Sequence, residues 1–363
     1  MTDLTIMFWT INNTYSYKVY TLDTKKKDGE EESGPEVESL FRSRNRDVRE
    51  KVTDVIDHIE PDIVVLVEYS VGTRTVIKNE KKEDDNAEEN PEPAPEKTDD
   101  DKSVEIFDRF GPYIYRKNLN KKKNDNTNDK SSKDRWDAQL MSVECSDLSE
   151  EKKDGELEKD KEKTQSFELY CVLWKKSKVK PVRNLAMEFE GKKKSLQFQP
   201  RYPASMIFAL KEKPQTKFTL VMFHAKHEKK DELNNSEIPS SIRDLSELKR
   251  INDAVNSSRK TPLILAGNFE LDDTTEFKPL EDLRFDVHIT GKTEFAKKEN
   301  DENPLTRACD NILTVNFEEP KTSTGREKPN GIYDFIKEDC KNDVDEALTV
   351  SNHLPIYVTV RLK

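Results

Sequence analysis

The sequence predicts an α/β fold in which β-sheets are packed between layers of helix, and three observations point there. Short runs of aliphatic, β-branched and aromatic residues recur along the 363 residues and read as strands. Several are apolar at every position, such as Asp62-Ile63-Val64-Val65-Leu66-Val67, so both faces are expected to be covered. Two longer segments carry apolar residues at helical spacing, and each leads into one of these runs.

In chain order, strands are expected at 4–11, 62–69, 167–174, 205–210, 218–225, 262–269, 309–315 and 355–362. The first helix is marked by Val48, Val52, Val55, Ile56 and Ile59 on one face. It stops at Glu60-Pro61 because the residue before proline is driven out of the helical region. A second helix is expected from a cap at Ser240 or Ser241 through Ile242, Leu245, Leu248, Ile251 and Val255.

Charged residues make up 37% of the chain and apolar residues 33%, so part of it cannot belong to a packed core. Three stretches account for the excess: about 78–104, 117–135 and 147–165, rich in Glu, Lys, Asp and Asn. They lack the apolar residues needed to offset the entropy of ordering, so they are read as disordered insertions within one domain spanning 1–363. A formal net charge of −11 argues against general attraction to polyanions. Cys145, Cys171, Cys309 and Cys340 are far apart with no CxxC pair, and Cys171 and Cys309 fall in apolar strands, so free buried thiols are expected. The N-terminus carries no secretory signal pattern and no run is long and apolar enough to span a membrane, which points to an intracellular protein of the cytoplasm or nucleus.

Chemistry-bearing residues sit where strands meet loops. They lie in Phe8-Trp9-Thr10-Ile11, Leu66-Val67-Glu68, Phe167-Glu168-Leu169-Tyr170, Phe198-Gln199-Pro200-Arg201-Tyr202-Pro203, Phe223-His224, Gly267-Asn268-Phe269-Glu270, Cys309-Asp310-Asn311 and Ser351-Asn352-His353-Leu354-Pro355. Taken together and in this order, they resemble the endonuclease/exonuclease/phosphatase superfamily, most of all its pancreatic-type deoxyribonucleases. The resemblance implies a four-layer α/β sandwich of two packed mixed sheets flanked by helices. It also implies a magnesium-dependent phosphodiesterase chemistry on nucleic acid or another phosphodiester. Position by position, Glu68 matches a metal-binding glutamate, and Glu168 the carboxylate that orients the catalytic His224. Arg201 matches an arginine near the DNA phosphates, and Asp310 the carboxylate that orients His353.

The logic of such pairs is physical. A carboxylate on one ring nitrogen fixes the tautomer and raises imidazole basicity, so the other nitrogen can donate to a phosphoryl oxygen or protonate a leaving oxygen. A cation on the glutamate would neutralise charge and activate water.

The sequence departs from the family where that cation is concerned. Thr10 stands for asparagine, Asn268 and Asn352 for aspartates, and Glu270 for asparagine. A carboxamide takes no proton as a carboxylate does and is a weaker ligand for a hard cation. Glu270 is two residues from the missing carboxylate, which along a strand is the same face, so it is the candidate to compensate. The leading expectation is a deoxyribonuclease-like protein that is catalytically weak or inactive and binds a protein partner or a phosphate-containing ligand. Two rivals remain open: a metal-dependent phosphodiesterase or endonuclease using Glu68 and Glu270, and an interaction scaffold built on the charged insertions.

Overall fold

The computed structural model describes residues 2–12, 35–69, 115–122, 135–145, 166–184, 203–225, 261–282, 284–297, 304–318, 320 and 329–362, with the side chains of 35–46 excluded, as are those at several strand ends. Twelve strands are described: β1 (Thr2–Asn12), β2 (Ile63–Tyr69), β3 (Trp136–Cys145), β4 (Ser166–Lys175), β5 (Val179–Asn184), β6 (Ala204–Leu210), β7 (Lys217–His224), β8 (Leu263–Asn268), β9 (Asp286–Val287), β10 (Asp310–Val315), β11 (Asn330–Ile332) and β12 (Ile356–Leu362). They form two six-stranded sheets, ordered β11-β12-β1-β2-β4-β3 and β5-β6-β7-β8-β10-β9. Each sheet has one parallel pair at its centre, β1 with β2 and β7 with β8, and antiparallel neighbours outside it. The two orders are the same connectivity written twice, with β7–β10 repeating β1–β4 and β5–β6 repeating β11–β12. All eight predicted strands are present.

The alternation along β1 shows why these strands are apolar at every position. Leu4, Ile6 and Phe8 join a core shared with Met206, Phe208, Phe218, Leu220, Ile264 and Ile312 of the other sheet. Met7, Trp9 and Ile11 face the opposite way, onto α1 (Pro35–Ile59), whose Val48, Val52, Val55 and Ile56 are buried there. The outer face of the second sheet is closed by Phe269, Leu271, Phe277 and Leu280, from the loop and short helices after β8. The fold is thus a two-sheet α/β sandwich. Between-sheet packing includes an edge-to-face contact of Trp174 with Phe208, centroids 5.8 Å apart.

Helix α1 ends as expected. Glu60 takes a left-handed φ of 49° and Pro61 follows, a stop that satisfies the last carbonyls. Asp62 then ties the next strand in: its Oδ2 accepts from Thr5 N at 3.0 Å and its Oδ1 from Lys175 Nζ at 3.3 Å. At the other end of the chain, β12 pairs with β1 from Thr2 opposite Leu362 to Phe8 opposite Ile356.

The stretch 117–135 begins as a helix over 115–122, and its Tyr115 and Leu119 are buried against α1 and β3. Two apolar residues at helical spacing suffice to anchor one turn where a surface is ready to receive them. The expected insertions 78–104 and 147–165 and the expected second helix near 242–255 lie outside the described residues. Cys171, Cys309 and Cys340 are buried. Among the described residues no helix is long and apolar enough to cross a membrane.

Candidate functional site

The C-terminal ends of the two parallel pairs meet at one edge of the sandwich. There β1 contributes Thr10, β7 contributes His224, β8 contributes Asn268, β10 contributes Asp310, and the turn entering β12 contributes His353. All five are buried.

His353 and Asp310 form a pair. Nδ1 of His353 donates to Asp310 Oδ2 at 2.7 Å, and Thr10 Oγ1 donates to Asp310 Oδ1 at 2.9 Å. The asparagine expected at position 10 is therefore replaced by a hydroxyl that still crosses from the first sheet to the second. The imidazole is held from its backbone as well. His353 N donates to Ser351 Oγ at 2.8 Å, Ser351 Oγ to Thr10 O at 2.5 Å, and Trp9 Nε1 to His353 O at 2.7 Å. Burial works against the imidazolium, but Asp310, with Glu294 and Glu270 adding, outweighs it and raises the His353 pKa above 6.5.

The acidic end is wired differently from the sequence-based expectation. Strand β8 stops at Asn268, and Glu270 has a left-handed φ of 54°, so strand alternation does not set its direction. The chain curls back: Glu270 N donates to Asn268 Oδ1 at 2.9 Å while Asn268 Nδ2 donates to Glu270 Oε1 at 3.0 Å. His224 Nε2 lies 3.8 Å from the same Oε1, and Arg307 reaches Oε2 at 3.0 Å. Burial opposes ionisation of Glu270, yet His224 and Arg307 outweigh it and hold the carboxyl at about 2.

Arg307 also grips Glu294, with Nε 2.5 Å from Oε2 and the terminal nitrogen 2.9 Å from Oε1. Thr306 Oγ1 donates to the same carboxylate at 2.9 Å and Asn352 Nδ2 at 3.3 Å. Glu294 in turn bridges His353 through the backbone. Burial alone would raise the Glu294 pKa, but Arg307 and Thr306 lower it, and Glu294 holds Arg307 protonated. Among the described residues Asn352 Oδ1, which is buried, finds no hydrogen-bond partner.

The predicted residues fall into three groups. Thr10, His224, Asn268, Glu270, Asp310, Asn352 and His353 are brought together. Glu68 and Glu168 lie on β2 and β4, but their side chains are outside the described residues, as is the whole of Arg201. The carboxylate described beside His224 is Glu270. Glu294 and Arg307 were missed, because each sits in a polar stretch with no pattern. The only sequence hint for Arg307 is its place just before Cys309-Asp310.

The magnesium implied by the resemblance does not fit the described residues. Both carboxylates at the acidic end are engaged by Arg307, and the neighbouring amides present N–H donors to them. Among the described residues no group of three or more His, Cys, Asp or Glu is arranged to hold a metal ion.

No protein-family profile matches the chain, and no curated protein matches it. Similar solved structures include an endonuclease/exonuclease/phosphatase family protein from Bacteroides thetaiotaomicron, 11% identical with a TM-score of 0.46, covering 99% of this chain and 98% of that one. The human Nocturnin catalytic domain with bound sulfate is 11% identical, TM-score 0.44, covering 99% and 95%. TDP2 from D. rerio, complexed with a single-strand DNA product, is 13% identical, TM-score 0.43, covering 100% of both chains.

Proposed function

We propose that the chain binds a phosphate-containing ligand at the edge where His224 and His353 meet, and is weak or inactive as a phosphodiesterase. The observation that carries this reading is the buried His353–Asp310 pair at 2.7 Å, whose imidazole pKa is raised. An imidazolium held by a carboxylate on Nδ1 keeps its second nitrogen as a charged donor, which suits a phosphoryl oxygen. Thr10, Ser351 and Trp9 position that ring, and Glu270 stands beside the second imidazole. Glu68, Glu168 and Arg201 join the site in this reading through the family resemblance alone.

The ligand class is a phosphate monoester or diester, nucleic acid included. A second reading, a phosphodiesterase with a rearranged metal site, is favoured by the same intact pair, because a carboxylate-oriented histidine also suits general acid–base work.

Calorimetric titration with inorganic phosphate and with a short single-stranded oligonucleotide tests the proposal. Binding is expected, and His353→Ala weakens it by tenfold or more, the loss of about 1.5–3 kcal/mol for a charged hydrogen bond. Absence of binding to both probes sinks the phosphate reading. Cleavage of plasmid DNA with Mg²⁺ or Mn²⁺ that disappears in His353→Ala sinks the inactive reading.

A further inference from the structure

We propose that Arg307 is the resident cation of this site: its guanidinium neutralises Glu270 and Glu294 and thereby bars a divalent ion. The role stands on the geometry of the acidic end and is independent of whether phosphate binds.

The arrangement is built for a planar cation. Arg307 makes a two-pronged contact with Glu294, at 2.5 and 2.9 Å, and a further contact with Glu270 at 3.0 Å. The three side chains are 23%, 15% and 13% exposed, so the charges are largely removed from screening water. An arginine fork matches carboxylate geometry and gives up hydration more readily than a small divalent ion. A metal would have to expel this fork, and the displaced guanidinium would then face the incoming ion.

The amides close the case. Asn268 Oδ1 accepts from Glu270 N at 2.9 Å, so its nitrogen must face Glu270 Oε1, and does so at 3.0 Å. That bond fixes which end of the amide points where. An aspartate at position 268 would still accept from Glu270 N, but its second oxygen would oppose a carboxylate oxygen at the same short separation. Asn352 likewise turns Nδ2 towards Glu294 at 3.3 Å. Asn268, Asn352 and Arg307 therefore act as one set of donors around two carboxylates. Restoring an aspartate while Arg307 remains is expected to add repulsion and no metal site.

Manganese titration by calorimetry and thermal shift on the full chain tests this, with folding checked by circular dichroism. The wild type and Asn268→Asp are expected to show no saturable Mn²⁺ signal. Asn268→Asp with Arg307→Gln is expected to bind Mn²⁺ saturably, at least about tenfold tighter than the detection limit below which Asn268→Asp is silent, and Mn²⁺ raises its melting temperature. A folded double variant that stays silent overturns the proposal, and so does saturable Mn²⁺ binding by the wild type that Glu270→Gln abolishes. If the double variant fails to fold with or without Mn²⁺, Arg307→Gln alone decides. It removes the charge while Asn268 stays in place, so weak saturable binding to Glu270 and Glu294 is expected and silence in the folded protein counts against the role.

Discussion

Glu270 shows how one side chain is fixed by three others, and what that implies for pH. Its carboxyl is held at about 2 against an ordinary 4.5. A carboxyl whose folded value is depressed stabilises the protein fully above the unfolded value and loses that contribution as pH falls through the folded one. The window here is pH 4.5 down to about 2, with a contribution on the order of 3 kcal/mol above it. Acid titration of stability should be shallower in Glu270→Gln over that window. His353 runs the other way: its pKa is raised, so its contribution is complete below 6.5 and fades as pH climbs past the folded value. Asp310→Asn should abolish that alkaline loss, measured by chemical denaturation between neutral and alkaline pH. Gly267 carries a third constraint. A Cβ there would lie 2.5 Å from the Phe223 carbonyl on the parallel neighbour, so Gly267→Ala should cost about 3 kcal/mol by urea unfolding. The histidines, Asp310 and the substituted positions were legible because each lies at or beside the end of an apolar strand, whereas Arg307 and Glu294 act across loops that carry no periodicity.

The strands missed in the sequence have one thing in common. Strands β3, β5, β9 and β11 are the four outermost strands of the two sheets. An edge strand is covered less completely, so it needs no continuous apolar run and tolerates residues a central strand cannot. β5 shows this: Val179-Lys180-Pro181-Val182 includes a proline at a register shift, which an edge permits. Central strands announce themselves, because both faces are buried. The same reasoning made α1 legible, since its apolar stripe seals one face of the first sheet. Truncating that stripe with Ile56→Ala should cost about 2–5 kcal/mol, read from the denaturation midpoint.

Both sheets contribute to one shared core, so damage on one side should be felt on the other. Phe208 of the second sheet packs on Trp174 of the first and stacks on Phe218 at 5.7 Å. Phe208→Ala should cost about 3–5 kcal/mol and speed hydrogen exchange in β1 and β2 as well as in β6 and β7. Faster exchange confined to the second sheet would refute a common core.

The pairing of β12 with β1 sets Thr2 beside Leu362, so the described path nearly closes on itself, like a ring with one narrow gap. Order of synthesis and order in space are then separable. A gene that bridges this gap with a short glycine-rich linker and opens the exposed turn 211–216 between β6 and β7 moves the new ends to the opposite end of β7 from His224. Such a permuted chain should melt within a few degrees of the parent and bind the same ligands.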